Sequence, residues 1–221
     1  MMKESNNVSP TDDMVELVLW SIVGRLTTSL LHEINNPMQS IRGAAALGLE
    51  ELDDPESLQT YFQMILHESG RVSEIIARAR RIYRPERQTP ECLDMNHLLQ
   101  ELVVLLRKLF ERHQVQVKTA YAPGLPMFTA VFGHISFVIL YPLLNMITEV
   151  TSADGGELLL ETRKVGDCVE VIMQLEAADF SPKPQQFLPY TSLAARYDIE
   201  LHEYAVDTGY VIRLHFPLQI I

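Results

Sequence analysis

Six consecutive residues, His32-Glu33-Ile34-Asn35-Asn36-Pro37, place a nucleophile, an acid–base group and a carboxamide side by side. An imidazole is a good nucleophile when neutral, and its usual pKa of about 6.5 leaves it mostly so at pH 7. Glu33 can accept or hold the ring proton. Asn36, four residues beyond His32, shares its face if the segment is helical. Pro37 has no amide hydrogen for the Glu33 carbonyl, so a helix here loosens beside the histidine. The zinc-protease pattern needs a second histidine four residues after the first, and that position is Asn36. No metal-ligand pattern is read elsewhere in the chain.

With Leu30 set at zero and about 100° per residue, Val23, Leu26, Ile34, Pro37 and Ile41 fall within about 40° of it. They form a core seam. His32 then lies at about 200°, among Arg25, Thr28, Asn36 and Gln39, on the side away from that seam. A solvated surface histidine competes with the catalytic reading; a buried core histidine does not suit this placement.

The surrounding pattern is helical from Met14 to about Leu52, with residues 1–13 expected as a disordered tail. Asp53-Asp54-Pro55-Glu56 ends that run, and Pro55 suits the first position of the next helix. A second apolar stripe, including Leu58, Phe62, Ile65, Leu66, Val72, Ile75 and Ile76, carries the helix to about Tyr83. Two such helices make an antiparallel hairpin over residues 14–88, and an uncovered seam predicts pairing of two copies into a four-helix bundle.

After the polar stretch Arg84–Pro90 the pattern becomes mixed. A helix is expected from Asn96 to Arg112 and a strand from Val115 to Tyr121, followed by a turn at Pro123-Gly124-Leu125-Pro126. An apolar helix follows from His134 to Val150, interrupted by Pro142. Asp154-Gly155-Gly156 reads as a turn into a hairpin of Glu157–Arg163 and Cys168–Leu175. A helix over Gln185–Tyr197 and strands at Ile199–Ala205 and Tyr210–Phe216 complete residues 89–221. The predicted fold is α+β: a helical hairpin followed by a mixed α/β sandwich.

Composition bounds the function. The 221 residues are 47% apolar and 21% charged, which suits a globular protein with a substantial core. A net charge of −11 argues against nucleic acid as partner, because phosphate neutralisation needs clustered positive charge. No window of eighteen uninterrupted apolar residues exists, so no membrane span is expected. The acidic start lacks a signal-peptide layout, and two cysteines make no disulfide framework. A cytoplasmic setting is the expectation. Against the acidic background, Arg71, Arg78, Arg80, Arg81, Arg84 and Arg87 crowd the end of the second helix, either as a helix-end complement to the dipole or as a basic rim.

His32 to Pro37 resembles the phosphoacceptor box of two-component sensor histidine kinases, in the form His-Glu-x-x-Asn-Pro. The resemblance covers almost the whole chain. The hairpin is similar to the dimerisation and histidine-phosphotransfer domain. Cys92 to Leu99 and Phe137 to Leu158 resemble parts of the ATP-binding domain. It implies that His32 carries a phosphoryl group to or from an aspartate of a receiver domain, that Glu33 assists the proton, and that Asn36 can orient water to dephosphorylate the receiver. Arg25, Thr28 and Gln39 become candidates for receiver docking.

The sequence departs from the family at the nucleotide site. A polar pair one helical turn apart should support magnesium and triphosphate; Asn145 stands at the second position, but Tyr141 followed by Pro142 stands at the first. The glycine turn for adenine is replaced by Gln174-Leu175-Glu176-Ala177-Ala178-Asp179. None of the ten glycines lies between Gly166 and Gly209, where backbone amides should approach phosphates. Asn145 therefore reads as a relic or a helix cap rather than a ligand, and residues 89–221 as a degenerate kinase-type domain. No resident cofactor is expected, with magnesium on the receiver only. Three readings stay open: a histidine phosphotransferase charged by a receiver or upstream kinase, an active kinase with divergent loops, and a non-catalytic receiver-binding dimer.

Overall fold

Asp54 settles the first turn of the chain. Its carboxylate caps a helix, with Oδ1 accepting from the amides of Glu56 (3.1 Å) and Ser57 (3.4 Å) and Oδ2 from the Ser57 hydroxyl (2.8 Å). These hydrogen bonds hold the Asp54 carboxyl below its ordinary pKa. Tyr61 donates its hydroxyl back to Glu51 at 3.0 Å and closes the loop. The result is the expected hairpin of α1 (Pro10–Glu50) and α2 (Pro55–Tyr83). The computed structural model describes residues 10–83, 89–150, 154–177, 194–195, 197–206 and 209–218. Helix α1 starts at Pro10, inside the stretch expected to be a disordered tail, because proline is tolerated in a helix's first turn.

The second unit runs β1 (Glu91–Leu93), α3 (Met95–Arg112), β2 (Val115–Tyr121), β3 (Phe128–Ala130), α4 (Phe132–Thr148), β4 (Gly156–Val165), β5 (Cys168–Glu176), β6 (Glu200–Val206) and β7 (Gly209–Pro217). Asp94 caps α3 by accepting from the His97 amide at 3.1 Å. The main sheet has the order β2-β4-β5-β7-β6, with β2 and β4 parallel and the other neighbours antiparallel. Strands β1 and β3 pair separately and were not foreseen; at three residues each they leave no alternation to read. Of the helix expected over Gln185–Tyr197, residues 185–193 and 196 lie outside the described residues, and residues 194–195 are helical.

One expectation here is met and one is corrected. The turn at Asp154-Gly155-Gly156 leads from α4 into β4, which forms the expected hairpin with β5 and pairs on its other edge with the parallel strand β2. Gly155 has φ +71°, and a Cβ there would strike the Gln114 carbonyl, so only glycine serves. Helix α4 is not interrupted at Pro142 but runs through it. It lies between the sheet and the hairpin with all but His134, Asn145 and Thr148 of its 17 residues buried, and that packing outweighs the amide that proline lacks. The segment Phe132–Glu149 is long and apolar enough to cross a membrane, yet 78% of it is buried in this core. Ile22, Leu26 and Leu30 of α1 and Ile75 and Ile82 of α2 belong to the same buried cluster as α3, α4 and the inner sheet face. The two units are thus packed on one another.

Candidate functional site

The seam places the chemistry as its spacing requires. Leu26, Leu30 and Pro37 are buried, Val23, Ile34 and Ile41 half-buried, and His32, Asn36 and Gln39 exposed. His32 opens into a cleft of about 680 Å³ whose other wall is the end of α3 and of α4: Lys108, Leu109, Arg112, His113 and Thr148. Arg25, seven residues before His32, lines the same cleft. Arg25, Lys108 and Arg112 therefore line the cleft into which the imidazole opens, in a chain of net charge −11. A phosphorylated imidazole, a dianion, is favoured electrostatically in such a cleft. Lys108, Arg112 and His113 were not singled out from the sequence; their alternation with Leu105, Leu106 and Leu109 shows a helix face but not what that face meets.

Glu33 and Asn36 open on the other flank of α1, into a hollow of about 280 Å³ shared with Arg71, Glu74, Arg78 and Arg107. Burial pushes the Glu33 carboxyl pKa up, and the positive charges of Arg78, Arg107, Lys108 and Arg71 only partly pull it back. A raised carboxyl holds its proton to a higher pH than an ordinary carboxylate does. It also opposes folding. Such a group binds protons more readily when folded, so its penalty is complete above the folded pKa and vanishes below the unfolded one. Glu33→Gln is expected to raise the melting temperature at about pH 7.5, with the gain fading toward about pH 4. A lower melting temperature at the higher pH would count against this.

Arg25 corrects an expectation. Its guanidinium does not face outward for a receiver; it reaches α4, donating to Asn145 Oδ1 (2.6 Å), the Leu144 carbonyl (2.7 Å) and the Thr148 hydroxyl. The side chain of Thr28 lies outside the described residues, as do Arg84 and Arg87. Within the basic rim, Arg71 pairs with Glu68 on its own helix (2.9 Å). Arg81 bridges to Glu91 (2.7 Å) and Glu101 (3.4 Å) and stacks 3.8 Å over the Phe132 ring, so it fastens the second unit to α2. Arg78 lines the Glu33 hollow, and Arg80 is exposed.

The residues of α4 do not fit a magnesium-bound triphosphate. Asn145 gives its carboxamide oxygen to a guanidinium, and the position one turn earlier is the buried phenol Tyr141. Strand β5 continues through Gln174-Leu175-Glu176 where a glycine turn is wanted; residues 178–193 lie outside the described set.

Residues 22–88 match the family described as His Kinase A (phospho-acceptor) domain. The chain is 31% identical over 141 residues to the sensory histidine kinase/phosphatase NtrB of Escherichia coli O157:H7, over 62% of this chain and 38% of that protein. Against NtrB of Proteus hauseri it is 28% identical over 183 residues, 78% of this chain and 51% of the relative. It thus spans between two fifths and about half of these relatives' length. In structure it is similar to the nucleotide-free catalytic domain of the histidine kinase ThkA, with TM-score 0.51, 13% identity, and coverage of 61% of this chain and 100% of that one. It is also similar to ThkA in complex with the response regulator TrrA, with TM-score 0.50, 19% identity, and coverage of 90% and 63%. At such identities the likeness speaks for the fold. The hairpin that presents His32 thus matches a His Kinase A phosphoacceptor domain, and the sandwich behind it has the fold of a histidine-kinase catalytic domain.

Proposed function

We propose that this chain is a histidine phosphotransfer protein that exchanges phosphoryl groups with receiver-domain aspartates at His32 and does not charge itself from ATP. The observation that carries the reading is the Arg25 guanidinium on Asn145: the one retained carboxamide of the nucleotide helix is used to dock two domains. A neutral ring nitrogen of His32 attacks the phosphorus of an aspartyl phosphate. The P–N bond forms as the P–O bond to the carboxylate breaks, and the aspartate leaves as its anion. Glu33 stands one residue away to take up or return the imidazole proton, and the cationic cleft steadies the phosphoryl charge. Transfer of this kind is mostly positioning and charge stabilisation, with magnesium carried by the receiver. In this reading Asn36, exposed one turn on, orients water against the receiver's phosphoryl group.

The working particle in this reading is a cytoplasmic homodimer. Leu31 and Leu49 on α1 and Phe62 and Leu66 on α2 are 56–73% exposed, as suits helices that pack against a second hairpin. Sedimentation velocity should give two chains per particle; one chain per particle would sink the dimer.

Labelling from two donors tests the function. The pure chain is incubated with labelled ATP and magnesium, and separately with a labelled phospho-receiver domain. Label from the receiver and none from ATP is the expected result. Autolabelling from ATP makes the chain an active kinase, and tight receiver binding without transfer makes it a binding module; either outcome overturns the proposal.

A further inference from the structure

The face of the sheet turned away from α3 and α4 carries a row of ionisable groups fixed by strand register. Glu170 on β5 is opposite His215 on β7, which is opposite Glu200 on β6. His202, two residues beyond Glu200, points to the same face. The Glu170 side chain is only 3% exposed and accepts from His215 Nε2 at 2.9 Å. It also accepts from Arg163 Nε, and Arg213 lies 3.9 Å away. With Nε2 donating, the neutral His215 ring keeps its lone pair on Nδ1, and that atom faces Glu200 Oε2 at 3.6 Å. His202 Nε2 lies 3.8 Å from the same oxygen. One ligand atom from each of Glu200, His202 and His215 falls within 4.8 Å of the others.

We propose that His202, His215 and Glu200 form a binding site for a zinc-class divalent transition metal ion, with Glu170 as the carboxylate that orients His215. Two imidazoles and one carboxylate suit a borderline cation, and three protein ligands leave a fourth position for water. Tetrahedral bonds of about 2.0–2.1 Å place ligand atoms roughly 3.3 Å apart, so the separations of 3.6 and 3.8 Å close with small rotations of exposed side chains. A buried carboxylate on the far nitrogen of a ligating histidine is the usual support for such a site, since it fixes both tautomer and ring. Ion pairing alone accounts poorly for the arrangement: Glu200 is 74% exposed, where a pair with histidine contributes little, and two protonated rings 5.2 Å apart repel. Strand β6 lies at one end of the sheet order, so the ion ties an edge strand to β7, on the opposite face of the sheet from the His32 cleft.

The test is metal binding by the whole chain after chelator treatment. Zinc is titrated in competition with a fluorescent chelator, and cobalt(II) is added separately for its visible absorption. One tight zinc per chain and intense cobalt bands are expected. His202→Ala, an exposed position that leaves the fold intact, should weaken zinc at least 100-fold, as should His215→Ala. Glu170→Gln keeps all three ligands and should weaken zinc about 10–100-fold. His97→Ala, on α3, should bind as the parent does. Zinc uptake unchanged in His202→Ala and His215→Ala, or absent from the parent, overturns the proposal.

Discussion

His32→Ala is expected to remove all phosphoryl uptake from a phosphorylated receiver, a loss of more than about a thousandfold, while leaving the fold unchanged. The side chain is exposed on a helix whose opposite face carries the buried seam, so its removal leaves no cavity. Alanine is also the better helix former by roughly half a kcal/mol, so the melting temperature should hold or rise slightly. Asn36→Ala separates the two activities expected at this box. It lies on the Glu33 flank, outside the His32 cleft, so uptake of label should persist while hydrolysis of the receiver's phosphoryl group slows. Phosphate release and retained label, followed on the same receiver, read the two effects apart. Substantial label on His32→Ala would move the acceptor elsewhere and sink the assignment.

How far such a site can be read from sequence depends on which physics sets each part. The α1 seam is local: apolar residues at helical spacing must be buried, so Leu26 and Leu30 point inward and His32 outward whatever the rest of the chain does. Boundaries of α2, α3 and β2 were legible for the same reason, with proline, aspartate and alternation marking them. Non-local pairing was not. The hairpin of β4 with β5 was legible from its turn and alternation, but the parallel pairing of β4 with β2 depends on the path of the chain through α4, and nothing in Gly155-Gly156 announces it. Pro142 breaks an isolated helix, but a helix buried on both sides keeps its course. Gly209 shows where glycine was retained in this unit: a Cβ there would strike the Leu175 carbonyl across β5, so it serves strand approach. The cationic cleft was the least legible feature, because Arg25, Lys108 and Arg112 converge only once α3 and α4 pack against α1.

Arg25→Ala should loosen the packing of the second unit on the hairpin, by about 2–4 kcal/mol, from the loss of a charged donor with three acceptors. The Asn145 oxygen, the Leu144 carbonyl and the Thr148 hydroxyl are all partly buried, and each loses its bond to the guanidinium together. At roughly 1.4 kcal/mol per factor of ten, that cost raises local opening at the end of α4 by a factor of tens to hundreds. Amide hydrogen exchange over residues 144–150 should accelerate accordingly, with exchange in β4 and β5 unchanged. Arg25→Lys should fall between, because an ammonium keeps the charge but cannot match the planar fork to three acceptors. The functional consequence follows from position. His32 is seven residues further along α1, about 10 Å, in the same cleft, so loosening the α3–α4 wall opens the imidazole to an incoming receiver domain. Transfer from a phospho-receiver should therefore be faster in Arg25→Ala than in the parent, although the substitution removes a cation beside the site. A docking arginine that received the receiver directly would give the reverse, a slower transfer with exchange in α4 unaltered, and the two measurements taken on one variant decide between them.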